Sequence, residues 1–304
     1  VLRLWVSSAE FRGDIRISDD ILKQLSEAYR RIRNTARFIL GNLHDFEPDR
    51  HAVPYEEMEE LDRWALMKLA KLSDRMRKAY EKYDFHLAYY AVHQFCSVDL
   101  GGFYLDVLKD RLYCDKPNGR ERRSAQTAFT VIIKELAQLI APILVFTSEE
   151  IWQHLPEQTR CEKSVHFSTW QEMPQEYRDP QLEQRWDEFL ELRRVVSKSL
   201  ELARADKVIG AANEAQVVIY ANEQMRAILD AFSADLRLLF IVSSVEVLPF
   251  DEGQGALYGE EGIAVDVQRA TGEKCERCWK YFSEMSSDPE HTQICQRCLD
   301  AIQS

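Results

Sequence analysis

Four cysteines near the end of the chain constrain its folding more than any other feature. They form two Cys-x-x-Cys pairs with sixteen residues between the pairs: Cys275, Cys278, Cys295 and Cys298. A turn between two cysteines three positions apart aims both sulfurs at one point, so two such pairs close four thiolates around one Zn²⁺ at about 2.3 Å. The sequence therefore predicts one structural zinc ion with no open position for chemistry.

Two other interpretations of the cysteines remain open at this stage. In the first interpretation, the four cysteines form two disulfides, although the sequence contains no stretch with the pattern of a secretory signal. Alternatively, His291 replaces one cysteine as a ligand, although it lies in a Ser-Ser-Asp-Pro-Glu-His loop without the pair spacing. About thirty residues bury too little apolar surface to fold alone, whereas zinc binding supplies roughly 10–16 kcal/mol in comparable peptides. We expect residues 270–304 to be disordered without zinc.

Composition bounds the remaining possibilities. The chain has 304 residues, 45% of them hydrophobic, which is enough for a sizeable core and two or three folded units. Its 39 Lys and Arg against 51 Asp and Glu give a net charge of −12, so any nucleic-acid binding must use local patches. The longest apolar runs are far shorter than the ~20 residues of a membrane helix. We interpret the chain as a monomeric, cytoplasmic part of a longer protein, without a membrane partner.

Helical spacing of apolar residues dominates the first 155 residues. It predicts helices from Ser18 (as N-cap) to Leu40, from about Glu56 to Tyr83, from Phe85 (capped by Asp84) to Tyr113 with an interruption at Gly101-Gly102, from Arg120 to Pro142, and from Ser148 (capped by Thr147) to Leu155. Residues 156–180 read as a linker or irregular cover. These elements predict an antiparallel helical bundle.

The pattern changes in the second half of the chain. It predicts a long helix from Gln181 to Asp206, a helix from Glu223 to Leu238, and strands at Ala215–Tyr220, Ser244–Leu248 and Ile263–Val267. Gly253, Gly255 and Gly259 lack the spacing of a nucleotide-binding loop and predict a flexible connection. The fold class is mainly α, a helical bundle followed by a small α/β unit and a zinc ribbon. We predict four parts: residues 1–17 ending a preceding region, 18–180, 181–269 and 270–304.

Four separated stretches resemble one family. Phe103 to Tyr113 is similar to the Phe-Tyr-Leu-Asp-x-x-Lys-Asp-Arg signature of bacterial-type isoleucyl-tRNA synthetases, which belong to class Ia. The stretches Val1–Trp5 and Arg30–Thr35 and the Cys-x-Arg-Cys-Trp-x-Tyr tail also resemble that family, in the same order. The chain is identified as similar to the C-terminal half of these enzymes, with an anticodon-binding helical domain and a zinc tail.

The resemblance implies a tRNA-binding region of an isoleucine-tRNA ligase, with isoleucine tRNA as partner and no DNA. ATP and isoleucine would bind only in a catalytic domain outside this chain, so we expect no catalytic residues here and no activity of the fragment alone. Alternatives are a valyl, leucyl or methionyl enzyme, a formamidopyrimidine-type DNA glycosylase with the same type of zinc ribbon, and a zinc-stabilised helical scaffold that binds protein.

Anticodon bases are read by stacking and by hydrogen bonds, while Lys and Arg hold phosphates. This predicts RNA contacts in three groups: Arg30, Arg33 and Arg37 on one helix flank; Arg120, Arg122 and Arg123 at a helix start; and Arg277 and Trp279 beside Cys278. The first group has salt bridges or a solvated face as the alternative interpretation, whereas in the second, basic charge at a helix start opposes the helix dipole. For the third, Trp279 instead covers the cysteine pair as its hydrophobic core.

The zinc interpretation makes a direct prediction for a cysteine variant. Replacing Cys275 with Ser should release the metal and unfold only the tail, because the helical bundle has its own core. Zinc content and helical circular dichroism during thermal melting check this. Loss of the whole cooperative transition would contradict the separation of tail and bundle.

Overall fold

A computed structural model describes residues 1–253 and 256–303, so that Gly255 of the glycine series lies outside the described residues. The chain divides into two compact units. Unit 1 comprises Val1–Leu108 and Asn118–Asp179, and unit 2 comprises Lys109–Pro117 and the chain from Pro180 onward. The segment Lys109–Pro117 thus packs with the second half of the chain. The division into four parts remains a prediction.

Unit 1 is the expected helical bundle. Its helices are α1 (Leu2–Ser8), α2 (Asp19–Gly41), α3 (Pro48–His51), α4 (Glu60–Glu81), α5 (Phe85–Gln94), a π-helix (Phe95–Tyr104), the start of α6 (Leu105–Cys114), α7 (Arg120–Ile140) and α8 (Val145–Gln153). Short 3₁₀ turns at Glu157–Thr159, Val165–Phe167 and Gln175–Tyr177 form the predicted irregular cover.

A buried aspartate joins three segments of unit 1. Asp62 on α4 is fully buried and accepts hydrogen bonds from the hydroxyls of Tyr104 (2.7 Å) and Ser124 (2.6 Å). Trp64 and Phe129 pack around the same Tyr104 ring. Because a buried carboxylate without donors is costly, these bonds specify how α4, the π-helix and α7 meet.

The three predicted helix caps had different outcomes. Ser18 caps α2, its hydroxyl accepting from the Ile21 amide at 3.2 Å. Asp84 occupies the N-cap position of α5 but makes no capping hydrogen bond, because its carboxylate pairs with Arg12 at 2.8 Å. The cap at Thr147 was wrong, since α8 begins earlier and the Thr147 hydroxyl lies 3.1 Å from that of Tyr29.

The predicted interruption at Gly101-Gly102 is a π-helical stretch. A Cβ atom on Gly101 would lie 2.9 Å from the carbonyl oxygen of Cys96, five residues earlier. The wider turn therefore brings Gly101 against a preceding carbonyl, and only glycine fits there without a shift.

Unit 2 combines a long helix with a small sheet. Its elements are the end of α6, then α9 (Pro180–Ala205), β1 (Ala215–Ala221), α10 (Glu223–Ala231), α11 (Leu236–Leu239), β2 (Ser244–Pro249), β3 (Tyr258–Glu260), β4 (Ile263–Arg269), β5 (Glu273–Lys274), β6 (Tyr281–Phe282) and α12 (Gln296–Ile302). One sheet has the order β2-β1-β4-β3, in which only β1 and β2 run parallel. The strands β5 and β6 form a second, antiparallel sheet.

An aromatic cluster forms the core of unit 2. Trp186 and Phe189 on α9 meet Phe232 with ring centroids 4.9 and 4.4 Å apart, and Phe240 stacks on Phe189 at 5.6 Å. The single helix predicted over 223–238 is instead α10 and α11, and Phe232 lies in the break between them. Packing of this ring against α9 outweighs continuation of the helix.

Among the described residues, no helix is both long enough and apolar enough to cross a membrane.

The π-helical contact predicts a position-specific glycine requirement. Gly101→Ala should lower the free energy of unfolding by about 1–3 kcal/mol, because its methyl group meets a backbone carbonyl that has to shift. Urea denaturation measures this change. Gly41→Ala at the end of α2 is the matched control, since a Cβ there has no atom within 4 Å, and it should be neutral or slightly stabilising. Equal stability of the two variants would contradict the proposed steric requirement for glycine at position 101.

Candidate metal centre and nucleic-acid interface

The four predicted ligands converge in the folded chain. The sulfur atoms of Cys275, Cys278, Cys295 and Cys298 all lie within 4.8 Å of one another and are buried. The first pair lies in the turn between β5 and β6, where the Trp279 amide donates to the Cys275 carbonyl at 2.9 Å. In the second pair, Cys295 occupies the N-cap position of α12 and Cys298 lies within that helix. Two separate turns thus aim their sulfurs at one centre.

The spacing of the sulfurs fits a tetrahedral zinc ion. Zn–S bonds of about 2.3 Å place neighbouring sulfurs about 3.8 Å apart, and the sulfurs of Cys278 and Cys295 are 3.9 Å apart. All four cysteines have free thiols, and convergence on one centre is not the arrangement of two disulfides. His291 is exposed and is not among the clustered ligand atoms. The geometry therefore favours four thiolates over both alternatives.

Trp279 does not cover the cysteines. Its side chain is 61% exposed, and the Lys274 ammonium lies 5.8 Å from the centre of its ring. The hydrophobic residues packed against the cysteine cluster are Phe282, Met285 and Ile294. An exposed indole beside a cation can stack on a base, so the core interpretation of Trp279 was wrong.

Arg277, the other predicted RNA contact in the ribbon, is half-buried. Its guanidinium donates to the backbone carbonyl of Cys114. The side chain is therefore engaged within unit 2. This geometry argues against Arg277 as a free phosphate contact.

The segment Lys109–Pro117 holds the ribbon through ion pairs that sequence reasoning missed. Arg297 donates two hydrogen bonds to Asp110, at 2.7 and 2.8 Å, and the buried Lys280 lies 3.7 Å from the same carboxylate. Burial raises the pKa of Asp110, but the hydrogen bond and charge of Arg297 and the charge of Lys280 outweigh it and leave the pKa lowered. No spacing rule connects residues nearly 190 positions apart.

In unit 1, Arg33 and Arg37 are exposed on α2 and line an open cleft with α8. The cleft has a volume of about 400 Å³, and its polar lining includes Thr147, Glu150 and His154. The Arg33 guanidinium lies 4.0 Å from the Glu150 carboxylate. Arg30 lies outside this lining and pairs with Glu27 three residues earlier. Two of the three arginines predicted on this helix flank thus lie together at one cleft.

The second predicted arginine group is mostly internal. Arg122 and Arg123 are buried; Arg122 binds both carboxylate oxygens of Asp45, at 2.7 and 3.0 Å. Arg123 donates to the Asp45 carbonyl and to Gln126. These contacts occupy the donors that a phosphate would need, which argues against both residues as RNA contacts.

Arg120 differs from its two neighbours. It is exposed at the start of α7, and its guanidinium donates to the Glu57 carbonyl at 2.7 Å. Part of its donor capacity therefore remains directed to solvent.

The folded state favours the ionised form of the Asp45 carboxyl group. Burial raises its pKa, but the hydrogen bonds from Arg122 and Gln126 and the charges of both arginines outweigh burial and hold the pKa well below its usual range. Because the folded state favours the ionised carboxyl, this contribution is complete above the unfolded pKa of about 3.9 and is lost as the pH falls further.

Comparison with known proteins matches two regions of the chain to described families. Residues 62–219 match the family described as the anticodon-binding domain of tRNA ligase, and residues 272–301 match a zinc finger found in FPG and IleRS. The chain belongs to the family of anticodon-binding domains of tRNA ligases.

The relatives of the chain among known proteins are isoleucine–tRNA ligases. The chain is 48% identical to an isoleucine–tRNA ligase of Syntrophomonas wolfei over 99% of its own length and 33% of the relative's. It is 49% identical to that of Syntrophotalea carbinolica over 99% of the chain and 32% of the relative. The chain therefore spans about a third of the length of the isoleucine–tRNA ligases it matches, and the resemblance drawn from its sequence is confirmed.

The buried arginines predict a pH-dependent stability. Asp45→Asn should lower the free energy of unfolding by about 2–4 kcal/mol at pH 7, because two buried guanidiniums lose their counter-ion. The parent chain should lose free energy of unfolding below pH about 4 as the Asp45 carboxyl becomes protonated, and the Asn variant should lack this contribution to the pH dependence. Urea denaturation between pH 3 and 7 measures both effects.

Glu27→Gln is the control, since its pair with Arg30 is exposed and should contribute no more than about 0.5 kcal/mol. An Asp45→Asn chain as stable as the Glu27→Gln chain would show that the Asp45 cluster is not structural.

Proposed function

We propose that this chain is the anticodon-recognition region of an isoleucine–tRNA ligase and that it binds the anticodon stem and loop of isoleucine tRNA. Membership of the anticodon-binding family and the similarity to isoleucine–tRNA ligases over nearly the whole chain support this proposal. The zinc ribbon supports it as well, because it presents an exposed aromatic ring.

The observation that carries the proposal is the pair Arg33 and Arg37 at the cleft between α2 and α8. One turn of helix separates the two guanidiniums, so they lie on the same face. The chain as a whole is acidic, and a local pair of exposed cations is what phosphate binding requires in such a chain. The cleft volume of about 400 Å³ lies in the range of small-ligand pockets. An unstacked base enters this cleft while the arginines hold the adjoining phosphates.

The zinc ribbon supplies the second contact. We propose that Cys275, Cys278, Cys295 and Cys298 hold one Zn²⁺, whose role is structural because four thiolates complete its coordination. Trp279 then presents its indole to an unpaired base, with Lys274 beside it. With few basic residues, the ribbon contributes stacking more than charge.

The remaining predicted contacts divide by exposure. Arg30 and Arg120 are exposed and add weak electrostatic attraction. Arg122, Arg123 and Arg277 act through the structure, because their donors are engaged within their own units.

The proposal places no catalytic step on this chain. Activation of isoleucine with ATP and transfer to tRNA belong to the full-length ligase, and the chain alone is inactive in both steps. We expect it to act in the cytoplasm as a monomer, without DNA as a partner.

The test is equilibrium binding of the zinc-loaded chain to an isoleucine tRNA transcript and to the same transcript with exchanged anticodon bases, over a series of salt concentrations. Native anticodon should bind more tightly. Replacing Arg33 and Arg37 together with Ala should weaken binding and reduce the salt slope by about one unit for each phosphate that the chain no longer binds.

Arg50→Ala provides the matched control, since Arg50 is an exposed arginine paired locally with Glu47 at 3.2 Å, and its salt slope should match the parent chain. Trp279→Ala should weaken binding without altering the slope, because stacking carries no counter-ion release. Equal binding of native and exchanged transcripts would overturn the recognition role.

A further inference from the structure

Unit 1 contains a second cleft, apart from the one that Arg33 and Arg37 line. It has a volume of about 610 Å³ and lies between α7 and the irregular cover at residues 158–177. Val131, Met173 and Tyr177 supply apolar parts of its lining, and none of the predicted RNA contacts lines it. The volume is in the range of small-molecule sites.

The wall of this cleft contains a buried carboxylate, that of Glu135 on α7. Glu135 is 8% exposed, and one of its oxygens accepts a hydrogen bond from the Ser73 hydroxyl at 2.7 Å. Ser73 is the one donor to this carboxylate among the described residues, and no ammonium or guanidinium of those residues forms an ion pair with it. Burial raises the pKa of Glu135, while the Ser73 hydrogen bond and the charges of Arg77 and Lys134 lower it only in part. The second oxygen is therefore available to a ligand.

Another hydrogen-bond acceptor lies one turn further along the same face of α7. Gln138 is also buried and lines the cleft, and its side-chain nitrogen donates to the Thr169 carbonyl at 3.3 Å. Its side-chain oxygen therefore remains as an acceptor. Two buried acceptors in one wall require a ligand that donates hydrogen bonds. Because one of them is a carboxylate, and a buried charge needs a partner of opposite charge, they favour a cation.

The charged groups of the lining favour several separate cationic groups over one metal ion. They are Lys134 against Glu135, Glu162 and Glu172. Among the described residues, the four cysteines are the one set of three or more metal-ligating side chains that converge, so the three glutamates do not meet at one point. Carboxylates spread along a partly apolar cleft suit ammonium groups that are joined by methylene chains, since the chains pack on the apolar lining.

We propose that the cleft between α7 and the irregular cover binds a linear polyamine. One ammonium group donates to the second oxygen of Glu135 and to the side-chain oxygen of Gln138. The methylene chain lies along the apolar lining, and the other ammonium groups pair with the exposed Glu162 and Glu172. The buried carboxylate supplies most of the affinity, because exposed ion pairs are screened by solvent. The proposal is independent of both RNA binding and zinc binding.

The test is calorimetric titration of the whole chain with spermidine. Glu135→Gln keeps the shape of the side chain and the acceptor for Ser73 but removes the charge, and it should weaken binding at least about tenfold. Glu172→Gln should weaken binding by no more than about threefold, since this carboxylate is exposed. Glu27→Gln removes the same charge outside the cleft and should leave the affinity unchanged.

A further variant tests the cleft without changing its charge. Thr169→Trp, at an exposed position of the lining, places an indole in the cleft and should abolish spermidine binding, while urea denaturation should report a stability like that of the parent chain. Equal losses of affinity in Glu135→Gln and Glu27→Gln would overturn the proposal, because binding would then follow the overall negative charge of the chain. Parent-like affinity in Thr169→Trp, or a parent chain that does not bind spermidine, would overturn it as well.

Discussion

A charged group that loses water must find partners, and this requirement organises the structure at three aspartates. Asp62 joins α4 to the π-helix and α7. The Asp45 carboxylate pairs with both buried arginines at the start of α7, and Asp110 receives Arg297 and Lys280 from the ribbon. Each carboxylate accepts donors from residues more than forty positions away. Apolar contact is non-directional, whereas these bonds permit only one arrangement of the segments.

The same requirement divides the arginines by role. A guanidinium has five donors in a fixed plane, which suits a phosphate and a carboxylate equally well. Arg122 uses this fork on Asp45 inside unit 1, whereas Arg33 and Arg37 keep theirs at an open cleft. Burial therefore separates arginines that hold the fold from arginines available to a ligand, in a chain whose overall charge repels nucleic acid.

The ribbon, residues 270–304, also depends on polar contacts more than on apolar packing. Its own apolar contacts are few, with Phe282, Met285 and Ile294 packed against the sulfurs, so the contacts with Lys109–Pro117, together with the zinc ion that we propose, stabilise it in place of a core. Because the ribbon is held from outside, its aromatic Trp279 is free to remain exposed.

The sequence by itself determined the helical bundle, the long helix α9, the central strands and the convergence of four cysteines, because hydrophobic period and cysteine spacing are local patterns. It also determined the position of the interruption at Gly101, and it predicted that Arg33 and Arg37 share one helix flank. Only the tertiary structure decided that Thr147 contacts Tyr29, that Arg122 and Arg123 point inward, and that Trp279 points outward. It alone brought Asp110 and Cys114 to the ribbon. Those outcomes depend on contacts between residues far apart in the chain, and no local pattern records which partner a buried polar group will find.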